Sequence, residues 1–317
     1  MQRTHQSRPQ SDPRIVLYRI SLRAAAIVVI VVAVKLLLLD VILVKGDAMA
    51  PSIVRGDRVL VLRMPYLPLL REIKNPGRGN SMILSLPAEN RRGCLRIAGV
   101  SGDMVMVDSG AFRNLTSTKR FPMLGRPPEE PLLPPEFSQR DFMPAVRVPA
   151  PGDTLGLDTP DLFRLFWNIA VVRQENEGAV FLLKPQVVID SSAVGGYSIS
   201  GFALYKGPLD SVPPQNRYDW FFWNRLREYL RQTHSGHTVD LTFAVSQNGA
   251  PLKQYRVKDR YVFVLADNWK NGLDSRYFGP VSHHRLFGRP LAVLWSFTGR
   301  NKGGSAFNFK RLGKILR

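Results

Sequence analysis

The feature that most restricts how this chain can fold is a run of apolar residues near its N-terminus. Residues 24–44 read AAAIVVIVVAVKLLLLDVILV, and Lys35 and Asp40 are the charged members of the run. A helix needs about 20 mostly apolar residues to cross a bilayer. The run therefore predicts one transmembrane helix, which we place at 22–44. It is longer than the core of a signal peptide, and no small-residue cleavage pattern follows it, so we expect it to be retained.

Charges around the run predict its orientation. Five arginines precede Ala24, and most of them lie in a basic tail at 1–21. By the positive-inside rule, this tail is cytoplasmic and the chain beyond residue 45 lies outside. The formal net charge of +19 then fits contact with anionic membrane lipids rather than with nucleic acid. For Lys35 we consider two possibilities. Its side chain extends to the membrane–water interface, or it contacts an acidic residue on the helix of a partner subunit.

Beyond residue 45 the pattern predicts a mainly β fold, because apolar residues alternate with polar ones in short segments. Clustered prolines make 111–158 mostly loop. Two helices interrupt the strands. The first follows Thr159 and Pro160, and the second spans 219–232, with either core packing or the membrane surface as its place. Strands are predicted at 57–63, 81–86, 94–100, 104–110, 239–246, 261–265 and 291–297.

Four sequence blocks carry a family resemblance. They are GDAMAPSI with RGD at 46–57, PGRGNSMIL at 76–84, LRIAGVSGD at 95–103, and ADNWKNGLDSRYFGPV at 266–281. In this order, behind an apolar anchor, they resemble the motifs S-M-x-P-T-L…G-D, R-G-D-x-V-x-F, K-R-x-x-G-x-P-G-D and G-D-N-x-x-N-S-x-D-S-R-x-x-G-x-V. These are the motifs of the type I signal peptidase, or leader peptidase, family of membrane-anchored serine proteases.

The resemblance implies an organisation for the whole chain. A signal-peptidase-like β core spans 45–110 and 255–300, a cap or insert with two helices spans 111–254, and a basic tail spans 301–317. We expect that tail either to lie against anionic headgroups or to be solvated. The resemblance also implies a single-pass protein of the bacterial inner membrane whose main domain is periplasmic and serves protein export.

The family mechanism needs a serine nucleophile and a neutral lysine base. In this sequence the nucleophile position is Ala48 and the base position is Leu95. The serine that orients the lysine is replaced by Gly272, and the glycine of the G-D-N motif by Ala266. None of these residues can transfer a proton, so the resemblance implies a pseudoenzyme. No cofactor and no metal are expected.

Other parts of the family site remain readable. The resemblance implies a charge pair of Asp274 with Arg276, turns fixed by Asp103 and Asp267 through backbone hydrogen bonds, and a structural Arg96. It also implies a groove that binds an extended peptide, such as a signal-peptide region, by strand addition. The groove residues would be Gly46, Asp47, Met49, Pro51, Met82, Ile83 and Leu84.

Two other functions stay open. An active endopeptidase would need a relocated nucleophile at Ser52, Ser81 or Ser85, with Lys45 or Lys74 as the nearby amine. We expect those lysines to be solvated and protonated, and we expect His283 and His284 to be surface histidines. The other alternative is a structural protein of the membrane surface. The single cysteine, Cys94, excludes an internal disulfide and is expected to be a small buried hydrophobe.

Overall fold

The computed structural model describes residues 13–63, 76–87, 91–117, 140–297, 299–301 and 304–316. The helices there are α1 (Pro13–Leu38), α2 (Leu162–Glu175), α3 (Pro214–Arg217), α4 (Trp220–Thr233) and α5 (Ser275–Phe278). The strands are β1 (Leu39–Leu43), β2 (Asp57–Arg63), β3 (Ser81–Ser85), β4 (Arg92–Val100), β5 (Met104–Asp108), β6 (Ala111–Asn114), β7 (Met143–Arg147), β8 (Thr154–Gly156), β9 (Phe181–Ile189), β10 (Ser192–Val194), β11 (Ser198–Ile199), β12 (Gly207–Pro208), β13 (Val239–Gln247), β14 (Ala250–Pro251), β15 (Gln254–Arg256), β16 (Tyr261–Leu265), β17 (Val281–Ser282), β18 (Leu286–Ser296), β19 (Gly299–Asn301) and β20 (Gly304–Ala306). Short 3-10 turns lie at Leu209–Ser211, His283–Arg285 and Phe309–Arg311.

One antiparallel sheet positions the four sequence blocks. Among the described residues it has seven strands in the order β1-β2-β18-β3-β4-β16-β17. Leu95 of β4 lies opposite Met82 of β3, and Arg96 lies opposite Leu265 of β16. The second, third and fourth blocks are therefore side by side. The first block runs directly into β2, whose inward residues alternate as the sequence predicts.

The apolar N-terminal run divides between a helix and a strand. The helix α1 ends at Leu38, earlier than the predicted end at 44, and β1 pairs antiparallel with β2. Asp40 helps to explain the change, because its carboxylate receives a hydrogen bond from Arg63 of β2 at 3.1 Å. No helix in the described parts of the chain combines the length and apolar character needed to span a bilayer. The side chain of Lys35, with its predicted partner contact, lies outside the described residues.

The described parts of the stretch 111–158 contain strands where the sequence predicted mostly loop. Both β6 and β7 pair with β5, and β8 pairs with β15, because alternating side chains can pack there between the proline-rich parts. The hairpin of β5 with β6 also crosses residue 110, where we expected the core to give way to the cap. Residues 118–139, with most of the proline clusters, lie outside the described residues.

The cap packs its two longer helices on a second sheet. That sheet has four described strands in the order β10-β9-β13-β14. The helix α2 begins after Asp161, whose side chain accepts a hydrogen bond from the backbone N of Arg164. In α4, Phe222, Trp223 and Leu226 are buried in the same apolar cluster as the buried face of α2. Core packing, rather than the membrane surface, therefore accounts for the aromatic start of α4.

A carboxylate joins the cap to the core. Glu175, at the end of α2, accepts hydrogen bonds from the hydroxyls of Tyr255 and Tyr261 at 2.9 and 3.1 Å. It also accepts from the backbone N atoms of Lys258 and Asp259, within 3.1 Å. Burial and the nearby Glu175 charge raise the pKa of Tyr261, which therefore stays a hydrogen-bond donor. These bonds hold α2 against the chain that leads into β16.

Candidate functional site

Three of the positions that the sequence motifs single out come together in an apolar cluster. Leu95 and Ala266 are 2% and 0% exposed and belong to one buried cluster, against which Ala48 packs. Asn268 ties the first block to the fourth, because its backbone N donates to the carbonyl O of Ala48 at 2.9 Å. Its side-chain amide donates to the carbonyl O of Asp47 at 3.1 Å. These two hydrogen bonds hold the first and fourth blocks in register.

Gly272 and Ala266 pack against each other, and there is room for a side chain at only one of the two positions. A Cβ atom added at Gly272 would lie 1.9 Å from the Cβ of Ala266 and 3.0 Å from the carbonyl O of Asn268. Real Cβ atoms do not approach that closely, so the methyl group of Ala266 fills the room that a side chain at 272 would need. A serine at 272, as in the family motif, requires a glycine at 266. The two departures from the motif are therefore coupled by packing.

Arg96 and Asp267 form a two-pronged ion pair beside this cluster. The Nε and Nη2 atoms of Arg96 donate to the two carboxylate oxygens at 2.7 and 2.6 Å, and Nη1 donates to the carbonyl O of Gly79 at 2.8 Å. We expected Asp267 to accept backbone hydrogen bonds in a turn. Its carboxylate instead joins the third block to the fourth, because β4 and β16 are neighbours in the sheet.

A second ion pair lies under the fourth block. The side chains of Asp274 and Arg276 are 0% exposed, and they contact each other at 2.8 and 2.9 Å. Asp274 also accepts a hydrogen bond from the backbone N of Ala266 at 3.0 Å. The guanidinium of Arg276 lies 3.9 Å from the ring centre of Trp269 and donates to the carbonyl oxygens of Trp269 and Arg140. The pair thereby fixes the backbone that carries Ala266.

Asp103 is the centre of a third polar cluster. Its carboxylate accepts from the backbone N of Val100 at 2.9 Å, from Arg78 Nε at 2.7 Å and from the Asn114 amide at 2.8 Å. Burial raises the pKa of Asp103, but the hydrogen bonds from Arg78, Val100 and Asn114 outweigh it and lower the pKa below its usual value. Asp103 therefore fixes a turn and also anchors Arg78 from the second block.

The residues expected to line a peptide groove divide into two groups. Met49, Met82, Ile83 and Leu84 are at most 2% exposed and form core. Their side chains are buried in the two apolar clusters of the core and do not offer the free surface that the sequence predicted. Strand addition to β3 is also blocked, because β3 pairs with β18 on one side and β4 on the other. Gly46, Asp47 and Pro51 are exposed.

All three alternative nucleophiles lie within the described residues. Ser81 is 4% exposed on β3, and Ser85 ends that strand. The carbonyl O of Ser52 accepts a hydrogen bond from the amine of Lys314 at 3.0 Å, a contact in which the lysine is a donor. Lys45 is exposed, as expected, and Lys74 lies outside the described residues.

A serine next to the paired histidines was not among the residues that the sequence analysis proposed. Ser282 Oγ and His284 Nε2 lie 3.3 and 3.1 Å from the two carboxylate oxygens of Asp259. Both side chains contact the acid and not each other, so the imidazole is not placed to take the serine proton. His284 is exposed, whereas burial and the neighbouring Arg260 lower the pKa of the half-buried His283. The sequence signal for this cluster was the SHH run at 282–284.

Cys94 is no substitute nucleophile. It precedes Leu95 on β4 and packs at the edge of the cluster on the other face of the sheet, with Ile83. Burial, followed by the charge of Asp267, raises its pKa to about 12. The side chain is therefore a protonated thiol at neutral pH, and only the thiolate is reactive.

The chain matches the signal peptidase, peptidase S26 family over residues 17–131 and 218–295, and it belongs to that family. A signal peptidase I of Buchnera aphidicola subsp. Schizaphis graminum (strain Sg) is 34% identical over 70 residues. That match covers 22% of this chain and 22% of the relative's length.

Proposed function

We propose that this chain is a membrane-anchored member of the signal peptidase family that does not cleave peptides and instead binds a peptide or partner protein in protein export. The observation that carries the proposal is the apolar cluster formed by Ala48, Leu95 and Ala266, where the family places its nucleophile and base. A hydrolase of this type needs a hydroxyl and an unprotonated amine in contact. The cluster contains neither.

The packing of the residues that replace the reactive groups supports a stable pseudoenzyme. Ala266 and Gly272 are matched in size, and Leu95 is packed between Met82 and the fourth block. Restoring a serine at position 48 alone would leave it without a base. Several positions of the site have therefore changed together. A single inactivating mutation would have changed only one of them.

Peptide binding is supported by the parts of the frame that persist. The exposed residues Gly46, Asp47 and Pro51 lie on either side of Ala48, and Asn268 holds this loop in place. Sheet proteins recognise extended peptides by adding a strand to an exposed edge. That kind of recognition uses backbone groups and apolar pockets and does not require a nucleophile.

Membrane anchoring is supported by the sequence and by α1. The described apolar side chains on α1 are widely exposed, with Leu17 at 70% and Ile27 at 61%. Such surface favours an apolar environment. The arginines before Ala24 support a cytoplasmic N-terminus, and the proposed location of the main domain is therefore extracytoplasmic. Lys35 within the anchor is then a contact for the helix of a partner subunit.

One sample tests binding and cleavage together. A labelled peptide spanning the cleavage region of a pre-protein is incubated with the full-length protein in detergent, and its anisotropy and mass are followed over hours. The proposal expects saturable binding and recovery of the intact peptide. A cleaved product would establish an active endopeptidase. Changing Ser52, Ser81 and Ser85 to alanine, one at a time, would then identify its nucleophile. Absence of binding would leave the structural, membrane-surface function.

A further inference from the structure

The C-terminal residues 311–316 add a short antiparallel strand to β18. The backbone N atoms of Leu316 and Gly313 donate to the carbonyl oxygens of Leu291 and Val293, both at 2.8 Å. In return, the N of Val293 donates to the carbonyl O of Lys314 at 2.9 Å. The added strand lies beyond the point where β3 stops pairing with β18, at Gly288. The tail that we expected to be solvated or lipid-bound is therefore paired with the core through part of its backbone, while Leu312 and Ile315 remain exposed.

Leu316 packs into an apolar cluster that includes two residues predicted to line a peptide groove. Its side chain is 7% exposed and belongs to the same buried cluster as Met49, Ile53, Ile83 and Val293. Met49 and Ile83 were expected to line the peptide groove. Two of the predicted groove residues are therefore packed in a core cluster to which the chain's own tail contributes Leu316.

Basic side chains of the tail meet an acid and a carbonyl oxygen. Arg311 donates to both carboxylate oxygens of Asp57, at 2.8 and 2.6 Å, and also to the carbonyl O of Ser52. Lys314 donates to the same carbonyl. The Asp57 side chain is 0% exposed, so it relies on Arg311 for its compensating charge. The pocket thus selects a basic residue as well as an apolar one.

Other tail residues gain little from this position. Leu312 and Ile315 are 54% and 76% exposed, and Phe309 is 77% exposed. Apolar side chains on such a short segment therefore stay in solvent while the segment is bound. The tail is held by a few backbone hydrogen bonds, Arg311 and Leu316, as a bound peptide would be.

We propose that the edge of β18 at residues 291–293, with the pocket under Leu316, is a peptide-binding site that the tail occupies as an internal competitor. Its ligand is an extended segment with a basic residue where Arg311 lies and a leucine-like residue where Leu316 lies. The inference rests on the proposed function, because it states where a peptide binds and what displaces it.

The first experiment releases the tail without truncating the chain. Gly313→Pro removes the N–H that bonds Val293 and is incompatible with the φ of +69° at this residue. Lys310→Ser, at an exposed position in the same segment, is the matched control. The probe is a fluorescein-labelled peptide of the tail sequence NFKRLGKIL. We expect it to bind Gly313→Pro at least about 10-fold more tightly than it binds the parent or Lys310→Ser. Equal affinity for all three proteins would overturn the proposal.

A second measurement keeps the proposal testable if Gly313→Pro does not fold. Amide hydrogen exchange of the unmodified protein compares Gly313 and Leu316 with Ile97 and Val264 in the core strands. A displaceable tail opens locally, so its amides should exchange at least about 10-fold faster than the core amides. Exchange of both groups at one common rate would mean that the tail leaves only when the whole domain unfolds.

The two proposals fail in different ways. If the tail peptide binds Gly313→Pro and the pre-protein peptide binds neither protein, the tail site stands and the proposed export function falls. If the pre-protein peptide binds the parent and Gly313→Pro equally, the proposed function stands and the tail is not its competitor. A tail peptide whose final leucine is replaced by aspartate should not bind, since Leu316 is buried.

Discussion

The floor of the site and its centre differ in what they retain. The floor holds buried charges that are fully paired, Arg96 with Asp267 and Asp274 with Arg276. The centre holds the buried residues Leu95 and Ala266. Leu95 precedes Arg96 in the sequence, and Ala266 precedes Asp267 and donates its backbone N–H to Asp274. The comparison teaches that the groups that shape this fold are separable from the groups that would react in it.

Energetics explain why the two regions can diverge. Removing one partner of a buried ion pair leaves an uncompensated charge, so the floor resists change. A reactive serine or lysine in the centre contributes little to stability, and a neutral lysine must be held there against its tendency to ionise. Apolar residues at the centre therefore stabilise the fold while the floor stays as it is.

The largest effect is expected at the floor. Arg276→Leu leaves Asp274 buried without its charge partner and should lower the free energy of unfolding by about 3–5 kcal/mol. Urea denaturation of the purified protein measures it. The control is Arg55→Ala, since Arg55 pairs with Asp47 at an exposed position and should matter by at most about 1 kcal/mol. Similar losses in both variants would mean that burial does not distinguish the floor.

A smaller effect is expected at the centre, with a rescue. Gly272→Ser forces a side chain against Ala266 and should lower the free energy of unfolding by about 1–3 kcal/mol. Ala266→Gly in the same chain should restore most of that loss, because it frees the space. A double-mutant cycle by urea denaturation measures the coupling. Additive losses would show that these two positions are not matched.

The charged frame should also respond to acid. The pKa of Asp103 is lowered in the folded state from its ordinary value of 3.8, so its contribution to stability is present above that value and is lost as the pH falls through the lowered pKa. Between pH 5 and about pH 2.5, the parent should therefore lose stability more steeply than Asp103→Asn. The control is Asp108→Asn, at an exposed ion pair with Arg113. Parallel pH profiles for parent and Asp103→Asn would contradict the assignment.

The smallest effect concerns the thiol beside the centre. With its pKa at about 12, Cys94 should react with a maleimide at pH 8 at least about 100-fold more slowly in the folded protein than in urea. Mass spectrometry of the intact protein follows the reaction. Fast labelling of the folded protein would reveal a reactive thiol at the site and weaken the account of an inert centre.

The sequence predicted the core better than the ends. Strands such as β2 and β16 match their predicted bounds, because alternation or a short apolar run between turns is a local signal. The end of α1 was missed because the pairing of β1 with β2 involves residues distant in sequence. The tail was missed for the same reason, since Arg311 meets Asp57 from the far end of the chain.

The candidate site was only partly visible in the sequence. Ala48, Leu95 and Gly272 were identified by their places in motifs, and no local pattern shows that Ala266 fills the space beside Gly272. The burial of Met82 and Leu84 was also hidden, because an apolar strand can line a groove or lie in a core. Which of the two occurs depends on the strands that flank it.

The measurement that tests the central claim most directly is cleavage of a pre-protein by the full-length protein in liposomes. The parent is run beside a variant with Ala48→Ser, Leu95→Lys, Ala266→Gly and Gly272→Ser, in which Ala266→Gly makes the room that Gly272→Ser needs. An active signal peptidase is the positive control for the substrate. The account predicts that the parent releases no mature protein, whether or not the variant does. Release of mature protein by the parent would contradict it, because a competent nucleophile would then exist outside the apolar centre.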